Sequence, residues 1–162
     1  MPDENTDTKK CCSSSMAYAN LILRLWVGLR LFMAGLDKFR EGNGFKNVSF
    51  SMFNYNNKTE RIAKLMADNS FLPEGMCFAY AKSIGFILLA VGVWVTVGIC
   101  TELGLLAAGL TFLSLGFGLA VLPDDTEVVY IGIHMLIVAA ALATSKSNKF
   151  SLDGLFGRKK RD

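Results

Sequence analysis

Two apolar runs stand back to back in this chain with a single charge between them. Ser83 to Thr101 holds no Asp, Glu, Lys or Arg, and Leu103 to Leu122 holds none either; only Glu102 separates them. Each is about twenty residues, the length of helix that crosses a hydrocarbon core of about 30 Å. As one helix they would be about twice too long. A tight hairpin around Cys100-Thr101-Glu102-Leu103-Gly104 is therefore expected. Ala17 to Leu36 is a further run, interrupted by Arg24 and Arg30, and Val128 to Ser145 is another, with His134 as its one ionisable group. Pro123-Asp124-Asp125 breaks the chain before the last run. The expected fold is all-α: a polytopic membrane four-helix bundle with spans at 17–36, 83–101, 103–122 and 128–145.

Composition agrees. The chain is 52% hydrophobic with a mean hydropathy of +0.37, rare in a soluble domain of 162 residues. A net charge of +3, not gathered into a stripe, excludes nucleic acid as the expected partner and leaves the lipid bilayer. Cys11, Cys12, Cys77 and Cys100 include no C-x-x-C pair. One histidine supplies neither a zinc site nor bis-His haem ligation, so no metal or haem is expected. No phosphate-binding Gly loop, nucleophile triad or transporter-type broken helix is visible. Cys11-Cys12 stand before the first span, either as acylation sites or as part of an inert tail. The first run is not expected to be a cleaved signal, because three acids against two lysines precede it and two arginines interrupt it.

The polar segment 1–16 and the tail 146–162 flank the transmembrane domain 17–145. The tail carries Lys146, Lys149, Arg158, Lys159, Lys160 and Arg161, whereas the connection between the last two spans carries Asp124, Asp125 and Glu127. The positive-inside rule then places both termini in the cytoplasm and the 37–80 loop outside. Arg40, Lys46, Lys58, Arg61 and Lys64 in that loop run against the rule, though its length and acids weaken it as a signal. A short amphipathic helix is expected near Thr59 to Asn69, with Thr59 as N-cap and Ile62, Leu65 and Met66 on one face. That face rests either on the helices or on the membrane surface. The sequons Asn47-Val48-Ser49 and Asn57-Lys58-Thr59 matter only in a glycosylating host.

Charges inside spans are expensive and mark candidate sites. Arg24 and Arg30 are about 120° apart around the helix, and Arg30 lies about 10 Å below Asp37. Gly28 and Gly35 share a face that admits another helix, as do the small pairs Gly104/Ala108, Ser114/Gly118 and Gly116/Ala120. Arg30, Asp37, Lys82, Tyr130 and His134 fall in the outer half at related depths. Such a group suits a quinone head or a small anion: Arg30 and Lys82 donate to an oxygen, Asp37 orients Arg30, and His134 relays a proton near neutral pH. The plainer alternatives are an Arg30–Asp37 pair, outward snorkelling of Arg30 and Lys82, and a His134 that caps a carbonyl. Arg24 is either a second intramembrane hydrogen-bond anchor or snorkels to the cytoplasmic side, and snorkelling is the expectation.

Three segments resemble the DoxX/DoxD-like family of small four-helix membrane proteins, over about Leu21 to Leu155. They are the opening helix Leu23 to Phe39, the stretch from the amphipathic helix through Phe71-Leu72-Pro73 to Val97-Gly98-Ile99, and the close Lys149-Phe150-Ser151-Leu152-Asp153. The chain departs from the family around Leu88, where relatives often carry an acid, and at Thr101-Glu102, where a basic residue is common. The resemblance implies a bacterial or archaeal cell-membrane protein linked to quinone or sulfur redox chemistry, as in thiosulfate:quinone oxidoreductase subunits. It also implies partners among oxidoreductase or respiratory subunits, either for catalysis or as a non-catalytic accessory subunit.

Overall fold

The computed structural model describes residues 4–41, 49–50, 52–70, 72–120 and 125–145. Outside them lie residues 1–3, the Asn47 sequon position, Phe71, Pro123-Asp124, and the basic tail with its Lys149–Asp153 segment; the side chains of Cys11 and Cys12 also lie outside. The described chain is helical apart from one short pair of strands. The elements are α1 (Glu4–Phe39), β1 (Arg40–Glu41), β2 (Ser49–Phe50), α2 (Met52–Asn69), α3 (Glu74–Val97), α4 (Thr101–Ala120) and α5 (Asp125–Ala143). β1 and β2 are antiparallel, with Arg40 opposite Phe50, and join α1 to α2.

Three of these helices contain stretches long and apolar enough to cross a membrane: Ser15–Phe39, Glu74–Val97 and Thr101–Ala120. The chain is thus an integral membrane protein. Within α5, Glu127–Ala143 is a shorter apolar helix. Helices suit this setting because they satisfy their own backbone groups where no water can.

Several boundaries differ from the sequence expectation. α1 begins at Glu4, well before Ala17, because no Pro or Gly stands between residue 3 and Val27 to stop it. α2 begins at Met52, so Thr59 is no N-cap but a buried mid-helix residue. α3 starts behind Pro73, with Glu74 in its first turn, and runs past Lys82, which is exposed there. The hairpin sits earlier than the Glu102 charge suggested. Gly98 ends α3 in the left-handed region (φ 76°) and its N–H bonds the Trp94 carbonyl at 3.0 Å. Cys100 also has positive φ (49°), and the Trp94 indole donates to the Ile99 carbonyl at 2.7 Å. Glu102 therefore lies inside the first turn of α4, a favourable place for an acid.

Buried positions recur every three and four residues. They are Ala17, Asn20, Arg24, Val27 and Leu31 in α1, and Cys77, Ala81, Ile84, Leu88, Val91 and Val95 in α3. This spacing puts the buried residues on one stripe of each helix. α1 packs most extensively on α3 and also on α5; α4 packs on α5 and α3. Val27, Leu31, Leu88, Val95, Leu105, Ala108, Phe112, Val138 and Ala141 form the shared core. Where α1 meets α3, glycines bring the backbones together: a Cβ on Gly28 would stand 3.0 Å from the Thr96 nitrogen. The Gly28/Gly35 face thus serves packing inside the chain.

α2 docks on the bundle through Asn54, Tyr55, Thr59, Ala63 and Met66. Ile62 is half-buried, while Leu65 turns away at 53% exposed. The Tyr55 ring stacks on Phe39 at 4.4 Å, meets Phe86 edge-on, and its hydroxyl donates to the Lys82 carbonyl. Lys58 donates to the Asp37 carbonyl at 2.9 Å and to that of Arg40, tying α2 to the end of α1.

Candidate functional site

A cavity of about 220 Å³ opens where α2 crosses the end of the helices. Its walls come from α2 (Thr59, Ile62, Met66), α3 (Tyr80, Ala81, Ile84) and α4 (Leu115, Gly118, Leu119), with Lys38 of α1 and Glu127 of α5 completing the lining. It is apolar with a few polar groups, as ligand sites are. Its volume exceeds the roughly 150 Å³ that houses a benzene ring in a protein core.

The polar groups have distinct standing. The Tyr80 hydroxyl is committed: it donates to the Ser114 carbonyl at 2.8 Å and accepts from the Ser114 hydroxyl at 3.1 Å. Gly118 makes room for it, since a Cβ there would stand 3.1 Å from the Tyr80 ring. Lys38 is half-buried in the last turn of α1. The ion pair found among the described residues is Lys64–Glu60 on α2, at 3.0 Å; Lys38 makes none among them. That ion pair also holds the Lys64 ammonium above its usual range.

The five residues singled out from sequence are spread more widely. Arg30, Asp37, Lys82 and Tyr130 are exposed, and among the described residues the link within the five is from the His134 ring to the Tyr130 main-chain carbonyl. Arg30 and Asp37 do not pair. His134 is half-buried; its Nδ1 donates to the Tyr130 carbonyl at 2.7 Å and its ring stacks on Phe112 at 5.4 Å. Carbonyl capping is therefore what Nδ1 does. Nε2 is buried with no hydrogen-bond partner among the described residues. His134 lies two turns along α5 from Glu127, on nearly the same face.

At the opposite end, a second polar group closes the helices. Asn20 is fully buried and its amide donates to the Ala141 carbonyl at 2.7 Å and to the Thr144 hydroxyl at 3.1 Å. Ser145 donates to the Glu102 carboxylate at 3.0 Å. Arg24 does not snorkel: it is 3% exposed, with its guanidinium packed against Gly98 at the end of α3. A cation suits the C-terminal end of a helix.

Lys38 and Glu127 were not singled out as site residues from sequence. Each looked like an ordinary charge flanking a span, and nothing in the spacing links them. Compared with family models, curated proteins and solved structures, the chain gives no significant match in any of the three.

Proposed function

We propose that the chain is a four-span, DoxX-like membrane protein that takes a quinone-class head group in the Lys38–Glu127 cavity and serves quinone- or sulfur-linked redox chemistry within a larger assembly. α5 is the fourth span in this reading: its 19 residues rise about 28 Å, close to the hydrocarbon thickness. Both termini then lie on the cytoplasmic side of a bacterial or archaeal cell membrane. The observation that carries the reading is the cavity itself, about 220 Å³ and largely apolar, with Lys38 and Glu127 in its lining.

A bound quinone supplies a two-electron, two-proton carrier. The chain's own residues hold and orient it. Lys38 donates to one ring oxygen, and Glu127 accepts or returns a proton at its carboxylate. Ile62, Ile84, Leu115 and Leu119 flank the ring and exclude water.

The test is quinone bound to the purified full-length chain, measured by mass spectrometry and by titration with a short-tailed quinone. Lys38→Met weakens binding by about tenfold or more, the scale of a lost hydrogen bond to a charged group. No binding to the unaltered protein would refute the reading. A second reading, a non-catalytic accessory subunit, is favoured by the exposure of Arg30 on α1.

A further inference from the structure

Arg30 stands in the longest apolar span and faces away from the rest of the chain. It has no hydrogen bond or ion pair among the described residues. Around it on the outer surface of α1 are Trp26, Leu29 and Met33, each more than half exposed. A charge held in hydrocarbon is costly and calls for a partner.

Lipid phosphate is a poor one here. The nearer end of the span is marked by Asp37, about 10 Å above Arg30 at the rise of an α-helix. Side chains on a helix lean toward its N-terminus, so Arg30 reaches down into the hydrocarbon and away from that surface. The other end, near Ala17, is about 20 Å off, beyond the reach of one arginine. Arg24 in the same helix avoids the problem by packing inside, against Gly98.

A second copy is an equally poor partner. A parallel two-fold pairing through this face would bring Arg30 toward Arg30. The acids of α3, α4 and α5, Glu74, Glu102, Asp125 and Glu127, all stand in their first turns, and Asp37 of α1 lies at the outer end of its span, about 10 Å from the depth of Arg30, so none stands at mid-depth. Charge complementarity thus points to a different chain.

We propose that the Arg30 face of α1 docks an apolar helix of a different membrane protein, and that this helix carries an Asp or Glu at the depth of Arg30. The docking rests on the membrane placement of α1 and not on the cavity.

The test places a photo-crosslinking residue at Leu29 or Met33 in the full-length chain, in host membranes, with Leu110 on α4 as control. The expected adducts at the α1 positions map to one apolar segment of another protein that contains an Asp or Glu, and are missing at Leu110. Arg30→Leu, which puts an apolar side chain on a lipid-facing site, lowers their yield about tenfold or more, as loss of one member of a buried charge pair does; Arg30→Lys retains most of it. Exchanging charges, with Arg30→Asp and the mapped acid changed to Arg, restores the yield. Adducts to lipid alone, adducts to a second copy, a mapped segment without an acid, or a yield unchanged in Arg30→Leu would each overturn the proposal. Quinone binding to the purified chain is measured separately, so either idea can fail alone.

Discussion

Gly92 of α3 lies directly on the main chain of Phe32 in α1: a Cβ on Gly92 would stand 2.6 Å from the Phe32 nitrogen and 2.9 Å from its Cα. Neither atom is the end of a flexible side chain, so neither can swing aside. The α1–α3 interface, the most extensive in the molecule, is built around this approach.

Gly92→Ala should therefore force the two helices apart and destabilise the fold by about 1–3 kcal/mol, the usual scale of overpacking. Gly132→Ala is the control, because nothing lies within 4 Å of a Cβ there; it should be neutral or stabilise by about 0.5–1 kcal/mol through helix propensity. Thermal unfolding of both variants in one detergent checks the contrast. Equal melting temperatures would show that the helices do not meet here.

Tyr55 anchors α2, and burial pushes its phenol above the usual tyrosine range. A raised folded-state value means that the unfolded chain ionises first. Its contribution is whole below about pH 10, the ordinary value for the group, and fades as pH rises through the folded value. Alkaline titration should loosen α2 with a transition that Tyr55→Phe removes. At neutral pH the same variant should cost about 0.5–1.5 kcal/mol for the bond to the Lys82 carbonyl. Limited proteolysis within 52–70 reads both effects.

Ala81 lines the cavity and is 5% exposed. Ala81→Phe should fill space that already exists. Short-tailed quinone binding should fall to background while the melting temperature moves by only a few degrees, the shift that about 1 kcal/mol gives. Binding that survives with the cavity filled would place the ligand elsewhere.

Asn20 ties α1 to α5 at the end opposite the cavity. Asn20→Ala should cost about 0.5–2 kcal/mol, the range for interhelical hydrogen bonds in membranes. Ile22→Ala, at a position 66% exposed, should cost much less. Reversible unfolding in mixed micelles measures the difference.

The amino-acid sequence by itself marked the apolar stretches that become the long helices of α1, α3 and α4, because hydrocarbon thickness sets the length of such a run, while their ends were set by Pro73 and Gly98 more than by charge. It also marked the Gly28/Gly35 face, since glycine spaced at two turns in an apolar helix is a contact surface. Boundaries were less legible: α2 is anchored by Tyr55 against Phe39 and Phe86, contacts that exist only after folding. α3 and α4 are apolar on every side, so composition could not separate their core face from their lipid face; in a bilayer both are equally free of charge. The cavity was hidden for a related reason, since Lys38 and Glu127 are 89 positions apart and meet only through the helix packing. The two arginines of α1 show the division most clearly. The sequence placed both inside the span, on faces about 120° apart. Only the tertiary structure decided that Arg24 turns inward to the end of α3 while Arg30 turns out, because the α1 face that carries Gly28 is the one buried against Gly92 of α3.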